Sequence, residues 1–170
     1  ASAASAAGVV ERGELGGGGG AGRGARAGAA AGGAAGRGRG AVLLGGGAGS
    51  LVGRDRLAVP LTFEGTRAAG LTIGSGAIVV IDEGADMAAL VLRIARFFRE
   101  ESCGQCVPCR VGTVRQEEAL RRLLSGRPAG SREDELRLLG EIAQVMRDAS
   151  ICGLGQTAAN AVQSALVELE

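Results

Sequence analysis

The apolar residues in the C-terminal half of this chain recur with the spacing of amphipathic α-helices. A first helix is predicted after Asp86, a suitable N-cap residue, and its apolar face is formed by Met87, Leu90, Val91, Ile94, Phe97 and Phe98. A second helix is predicted from about Gly112 to Leu124. Both stretches lack the alternating pattern of a half-buried strand.

A break rich in Gly and Pro follows, and then Ser131 and Asp134 have the spacing of a capping box. This predicts a third helix, whose apolar face is formed by Leu138, Leu139, Ile142, Val145, Met146 and Ala149. A fourth helix is predicted after Cys152, with an apolar face of Val162, Ala165, Leu166 and Leu169. Four short amphipathic helices with short connections predict a small four-helix bundle over residues 86–170.

Residues 41–85 contain shorter apolar runs that are typical of strands. The three candidates are Ala41–Leu44, Leu57–Leu61 and Ile78–Ile81, with a turn at residues 74–76. Pro60 would place the second candidate at a sheet edge, because proline donates no backbone hydrogen bond. A β-containing unit followed by a helical unit predicts an α+β fold.

Residues 1–40 form a low-complexity segment dominated by Gly and Ala. Such a segment buries too little apolar surface to offset its ordering entropy, so it is predicted to be poorly ordered. Gly17, Gly19 and Gly22 match the dinucleotide-binding spacing, but that match is expected by chance among so many glycines. The run Gly45–Gly49 follows a strand without a Walker lysine, so we interpret it as a turn.

The composition excludes several classes of protein. The formal charge is +1, which gives no argument for nucleic-acid binding. No stretch approaches the roughly 20 apolar residues of a membrane-spanning helix. Four cysteines, three of them within seven positions, do not look like a secreted disulfide framework. A reducing compartment is therefore expected, either the cytoplasm or an organelle matrix.

The cysteines carry the candidate chemistry. Cys103, Cys106 and Cys109 have two-residue gaps, and Cys152 follows after 42 residues. A four-iron–four-sulfur cluster needs four thiolate ligands, and a loop with this spacing can wrap three corners of the cube. The fourth ligand can come from any loop that the fold brings close. The sequence predicts that all four cysteines bind one cluster.

Other uses of these cysteines fit the spacing less well. A structural zinc site usually pairs its ligands two and two. A ferredoxin-type run would place its fourth cysteine at position 113, which is Thr113. Thioredoxin-like redox chemistry needs a βαβ setting that is absent, and four merely structural thiols at this density are improbable.

Three neighbours are candidates for contacts around the cluster. Gly104 and Gly153 lack a Cβ atom, so backbone N–H groups there can approach the sulfurs. Arg110 would favour the reduced, more negative cluster, or would simply pair with a nearby carboxylate. No catalytic acid, base or nucleophile is predicted, and the chain contains no His.

Two segments resemble one known family. Residues 101–112, Glu-Ser-Cys-Gly-Gln-Cys-Val-Pro-Cys-Arg-Val-Gly, are similar to the cluster-binding motif of the NADH-binding flavoprotein subunit of respiratory complex I. Residues 150–157, Ser-Ile-Cys-Gly-Leu-Gly-Gln-Thr, are similar to that family's loop with the fourth ligand. NAD-linked formate dehydrogenases and multimeric hydrogenases share this module. Residues 41–82 resemble the β-grasp-like domain that precedes it.

The resemblance implies a partial ubiquitin-like β-grasp followed by a four-helix bundle holding the cluster. It implies an electron relay within an NADH dehydrogenase-like complex at the cytoplasmic face of a membrane, with partners that include a further iron–sulfur subunit. FMN and NAD(H) are expected only on a missing domain or a partner chain, because the family's flavin-binding motifs are absent here. This chain alone is therefore not expected to be catalytic.

Three alternatives stay open on the sequence. The chain could belong to a formate dehydrogenase or to the diaphorase subunit of a hydrogenase. It could be a non-redox adaptor with zinc or a purely structural cluster. It could also be a truncated product without function.

Overall fold

The computed structural model describes residues 39–168, and these belong to two compact units that divide after Asp86. The first unit contains a small antiparallel sheet, and the second is helical. This mixture confirms the predicted α+β class. The predicted low-complexity segment lies, up to residue 38, outside the described residues.

The sheet of the first unit has three strands: β1 (Arg39–Leu44), β2 (Ser50–Gly53) and β3 (Ile78–Asp82). β1 lies in the centre and pairs antiparallel with both neighbours, so that Val42 faces Val52 on one side and Val80 on the other. The predicted strands at residues 41–44 and 78–81 are confirmed. Val42, Leu44 and Val52 are buried and form the core of the unit with Leu71 and Ile78.

The predicted strand Leu57–Leu61 is wrong. A 3-10 turn at Arg54–Arg56 precedes this segment, and within it only Pro60 makes an isolated bridge. Its apolar residues Leu57, Val59 and Leu61 instead pack against the sheet core. Burial thus explains their apolar character without a strand.

Two elements of this unit were missed. β2 is only four residues long and follows the Gly-rich turn, where Gly45 and Gly46 have positive φ angles of 86° and 66°. The turn itself is confirmed. Helix α1 (Phe63–Ala68) begins after Thr62, whose hydroxyl accepts a hydrogen bond from Gly65 N at 2.9 Å. A six-residue helix is too short to show a clear apolar period.

The second unit contains five helical segments within residues 87–168. They are α2 (Met87–Glu100), α3 (Val107–Leu124), α4 (Arg132–Ala149), α5 (Gly153–Thr157) and α6 (Asn160–Glu168). α3 packs against both α2 and α4. The buried side chains include Val91, Phe98, Leu120, Leu139, Met146 and Val162. Among the described residues, no helix is long and apolar enough to cross a membrane.

The helix predictions hold with two corrections. α3 begins at Val107 instead of Gly112, because Pro108 suits a first helical turn, so Cys109 is helical. The predicted apolar faces are also too wide. Phe97 and Val145 are more than half exposed, while the small residues Ala95 and Ala143 take the buried positions. The capping box of Ser131 and Asp134 is present as predicted.

Two buried carboxylates tie the helices together. Glu117 on α3 is 1% exposed, and its Oε2 lies 2.7 Å from Nη1 of Arg99 on α2. Glu135 on α4 is 2% exposed and accepts hydrogen bonds from Arg122 Nε at 2.8 Å, Arg122 Nη2 at 3.1 Å and Ala129 N at 3.0 Å. The Arg122 guanidinium lowers the pKa of Glu135, and burial opposes this only in part.

We predict that Glu135→Gln destabilises the chain at pH 7 by about 1–3 kcal/mol, because Arg122 then loses a charged partner. The folded-state pKa of Glu135 lies below its ordinary value of 4.5. Its stabilisation is therefore complete above that value and is lost as pH falls through the folded-state pKa. Urea unfolding followed by helical circular dichroism should show the difference between variant and parent shrinking below about pH 4.

Glu141→Gln is the matched control, since Glu141 lies on the same helix with a side chain 61% exposed. It should change the free energy of unfolding by less than about 0.5 kcal/mol. An equal effect of both variants would show that the Glu135 contacts are unimportant.

Candidate metal centre

Two loops of the helical unit hold the four cysteines. Cys103 and Cys106 lie between α2 and α3, and Cys109 lies in the first turn of α3. Cys152 immediately precedes α5. Gly104 reverses the first loop with a φ of 76°, a conformation that favours glycine. The four thiols therefore lie at or near the N-terminal ends of two helices, α3 and α5.

The four thiols differ in exposure. All are free; Cys109 is 4% exposed, Cys106 is half-buried, and Cys103 and Cys152 are exposed. A group bound by all four would have one corner in the helical core and one side towards solvent. Solvent exposure is one of the factors that set the potential of an iron–sulfur cluster.

Backbone amides favour the charged form of Cys106. The pKa of this thiol lies below its ordinary value, first because of the Ile151 N–H group and then because of the Cys109 N–H group. Cys106 is the N-cap residue of α3, but its side chain makes no capping hydrogen bond of normal geometry. A metal ligand must be a thiolate, so this environment suits ligation.

The surroundings of Cys109 disfavour its charged form. Burial raises the pKa of this thiol, and negative charge on Cys106, Cys152 and Cys103 raises it further. Only Ser102 opposes the shift, with its Oγ 3.3 Å from the Cys109 sulfur. The four thiols are thus near enough to repel one another once they are charged. A positively charged metal core between them would remove that repulsion, and the residues therefore fit an iron–sulfur cluster.

The four cysteines supply the number of thiolates that a four-iron cluster needs. Within residues 39–168, no three Cys, Asp or Glu side chains form a group that could hold a single metal ion.

Side chains on α3 and α5 hold the buried cysteine and the second loop in place by hydrogen bonds. Thr113 is fully buried, and its Oγ1 donates to the Cys109 carbonyl at 2.9 Å. Gln116, also fully buried, donates from Nε2 to the Ala158 carbonyl at 3.1 Å, between α5 and α6. Gln156 Nε2 donates to the Ser150 carbonyl at 3.0 Å. The loop carrying Cys152 is thus attached to the helix carrying Cys109.

The structure describes the surroundings of the predicted neighbours Gly104, Arg110 and Gly153. The Cδ atom of Arg110 is 3.8 Å from the position that a Cβ would take at Gly104, so the Arg110 stem covers the first loop. A Cβ at Gly153 would meet open space. Its role as an amide near the sulfurs stays a prediction.

Sequence reasoning missed three residues of this site. Ser102 contacts the Cys109 sulfur, and Ser150 is 6% exposed between the two loops. A Cβ at Gly155 would collide with Ser150 Oγ and lie 2.8 Å from Cys109 Cβ. Both serines flank cysteines in the sequence, a signal that could have found them. The requirement for glycine at position 155 depends on tertiary packing, so no signal in the sequence marks it.

Comparisons with known proteins agree with this geometry. Residues 89–169, which include all four cysteines, match the family model described as the NADH-ubiquinone oxidoreductase-F iron-sulfur binding region. The F subunit of NADH-quinone oxidoreductase from Mycobacterium tuberculosis (strain H37Rv) is 39% identical over 122 residues, 72% of this chain and 27% of that protein. Its counterpart from Rickettsia rickettsii is 34% identical over 123 residues, 72% of this chain and 28% of that protein.

Hydrogenases are similar as well. The HndC subunit of the NADP-reducing hydrogenase of Solidesulfovibrio fructosivorans is 36% identical over 126 residues, 74% of this chain and 25% of that protein. A crystal structure of an NAD+-reducing [NiFe]-hydrogenase in the H2-reduced state matches with a TM-score of 0.72 and 34% identity, covering 85% of this chain and 24% of that one. The chain thus spans about a quarter of the length of the proteins that it matches.

The packing at Gly155 yields a prediction. Gly155→Ala should push Ser150 and Cys109 apart, and we expect a cost of about 1–3 kcal/mol from overpacking together with a reduced iron content. Iron assay after anaerobic purification and urea unfolding check both effects.

Gly140→Ala is the control, because a Cβ there meets nothing within 4 Å. It should stabilise α4 by about 0.5–1 kcal/mol and leave the iron content unchanged. Full iron content in the Gly155 variant would contradict the tight packing of the two loops.

Proposed function

We propose that this chain is an electron-transfer module, because residues 89–169 match the iron–sulfur binding region of the NADH-ubiquinone oxidoreductase F family. This match indicates a four-iron–four-sulfur cluster. Cys103, Cys106, Cys109 and Cys152 would hold one cluster. The observation that carries this is the close packing of the two cysteine loops, since a Cβ added at Gly155, three residues after Cys152, would lie 2.8 Å from Cys109 Cβ. In agreement with this, negative charge on each of the other three cysteines raises the pKa of Cys109. The resemblance inferred from the cysteine motifs is confirmed by the family match.

Such a cluster, when bound, accepts and releases one electron at a time. The residues of this chain hold and insulate it. Cys109 and α3 anchor the buried corner, and the backbone amides at Cys106 favour the thiolate. Exposed Cys103 and Cys152 leave one side open for electron exchange with a neighbour.

The donor would be a reduced flavin on a neighbouring domain or chain, and the acceptor a further iron–sulfur centre of the same complex. The chain spans about a quarter of its relatives from NADH-quinone oxidoreductase, which are named as subunits of that enzyme. FMN and NAD(H) would bind outside this chain. The four free cysteines support a reducing location, and we propose the cytoplasm, at the face of a membrane complex.

A hydrogenase setting is the second candidate. The similarity to HndC and the TM-score of 0.72 with an NAD+-reducing hydrogenase favour it specifically. The two settings use the same cluster and differ in the partner that receives or supplies electrons. Purification of the native complex and identification of its subunits distinguishes them.

We also propose the finer architecture. The sheet with order β2-β1-β3 and helix α1 would be a partial β-grasp over residues 41–85. The helical segments from residue 86 onwards would be a four-helix bundle in which α5 serves as the ligand loop. The division of the chain after Asp86 supports these boundaries.

The first test is iron and zinc analysis together with EPR spectroscopy of the anaerobically purified, dithionite-reduced chain. About four irons per chain and a reduced cubane signal are expected. Cys152→Ser should lose the cubane or leave a three-iron form, because its thiolate ligand is gone. Stoichiometric zinc without a signal, or an unaltered four-iron signal in this variant, would refute the assignment.

Arg110 provides a second test, through the reduction potential. Its positive charge should favour the reduced cluster, so Arg110→Gln should lower the midpoint potential while all four irons are retained. Arg115→Gln is the control, since Arg115 is exposed and pairs with Glu118 at 2.9 Å. Equal shifts in both variants of an EPR-monitored titration would mean that net charge alone is responsible.

A further inference from the structure

Two serine hydroxyls lie at the two cysteines that are least accessible to water. Ser102 Oγ is 3.3 Å from the sulfur of Cys109, the buried thiol. Ser150 is 6% exposed and borders Cys106, whose thiolate it helps to stabilise. Cys103 and Cys152, by contrast, are exposed, and water can solvate them.

The direction of the Ser102 contact follows from its surroundings. The Gly104 N–H group donates to Ser102 Oγ at 3.4 Å and thereby engages one of its lone pairs. A cysteine that binds iron is a thiolate, so its sulfur has no proton to donate. The Ser102 hydroxyl is then the donor, and the Cys109 sulfur is the acceptor.

The buried hydroxyl of Ser150 has incomplete hydrogen bonding. Among residues 39–168 its Oγ is buried without a hydrogen-bond partner of normal geometry, although buried hydroxyls usually have one. The hydroxyl packs against Gly155, since a Cβ added there would collide with it and would lie 2.8 Å from Cys109 Cβ. The Cys106 thiolate is the acceptor within its surroundings that would complete its hydrogen bonding.

We propose that Ser102 and Ser150 are positioning residues that donate hydroxyl hydrogen bonds to the sulfurs of Cys109 and Cys106 and so raise the reduction potential of the cluster. The inference rests on the proposed function. Reduction adds one electron from the donor and increases the negative charge on the sulfurs. A donor hydrogen bond stabilises that added charge, and it does so most where water is excluded.

The test is an EPR-monitored redox titration of the full 170-residue chain, purified anaerobically, with the variants Ser102→Ala and Ser150→Ala. Alanine adds no atoms, so neither loop is crowded. Each variant should retain four irons and show a lower midpoint potential, and the double variant should show the larger shift. Ser102→Thr keeps the hydroxyl and should restore the parent midpoint.

Ser125→Ala is the matched control, because the Ser125 hydroxyl donates to the Arg122 carbonyl at the far end of α3. Its midpoint should equal that of the parent. The inference would be overturned if Ser102→Ala and Ser150→Ala both had the midpoint of the parent. It would also be overturned if their iron content fell below four without a shift in midpoint. Either result would leave the proposed function standing. Absence of a reversible four-iron signal in the parent would instead overturn the proposed function.

Discussion

The helical unit depends on holding four thiol groups together, although their charged forms repel one another. Negative charge on each of the other three cysteines disfavours the thiolate of Cys109, which burial disfavours further. The groups that stabilise a thiolate differ from one cysteine to the next. Backbone amides lie near Cys106, a hydroxyl contacts Cys109, and solvent reaches Cys103 and Cys152. A metal core between the thiols would balance the remaining charge.

The helices serve this arrangement by fixing the distance between two loops. Gln116 connects α3 to the segment after α5, and Thr113 fixes the backbone of Cys109. The ion pair between the buried Glu117 and the partly exposed Arg99 joins α3 to α2, on the other side of the first loop. Removing Arg99 would take one of two arginine partners from a buried carboxylate, and a buried charge that loses a partner is costly.

The sequence predicted the helical unit better than the sheet. Long periodic faces and a capping box mark α2 and α4, and the cysteine spacing indicates the chemistry without any structure. Leu57–Leu61 failed because burial against a core and strand pairing produce the same apolar signal. Gly155 was missed because its role depends on contact with Cys109, which is distant in sequence. Ser102 and Ser150 were missed although they lie close to cysteines in the sequence, because proximity in sequence does not show which sulfur a hydroxyl contacts.

The separation of the ligands has a consequence for synthesis. Three cysteines lie within seven positions, whereas Cys152 follows after a further 42 residues that form nearly all of α3 and α4. A nascent chain that has emerged from the ribosome only as far as the middle of α4 contains three of the four proposed ligands and lacks the fourth. All four cysteines can therefore come together only after α3 and α4 have been translated and have packed as a hairpin that brings Cys152 close to the first loop.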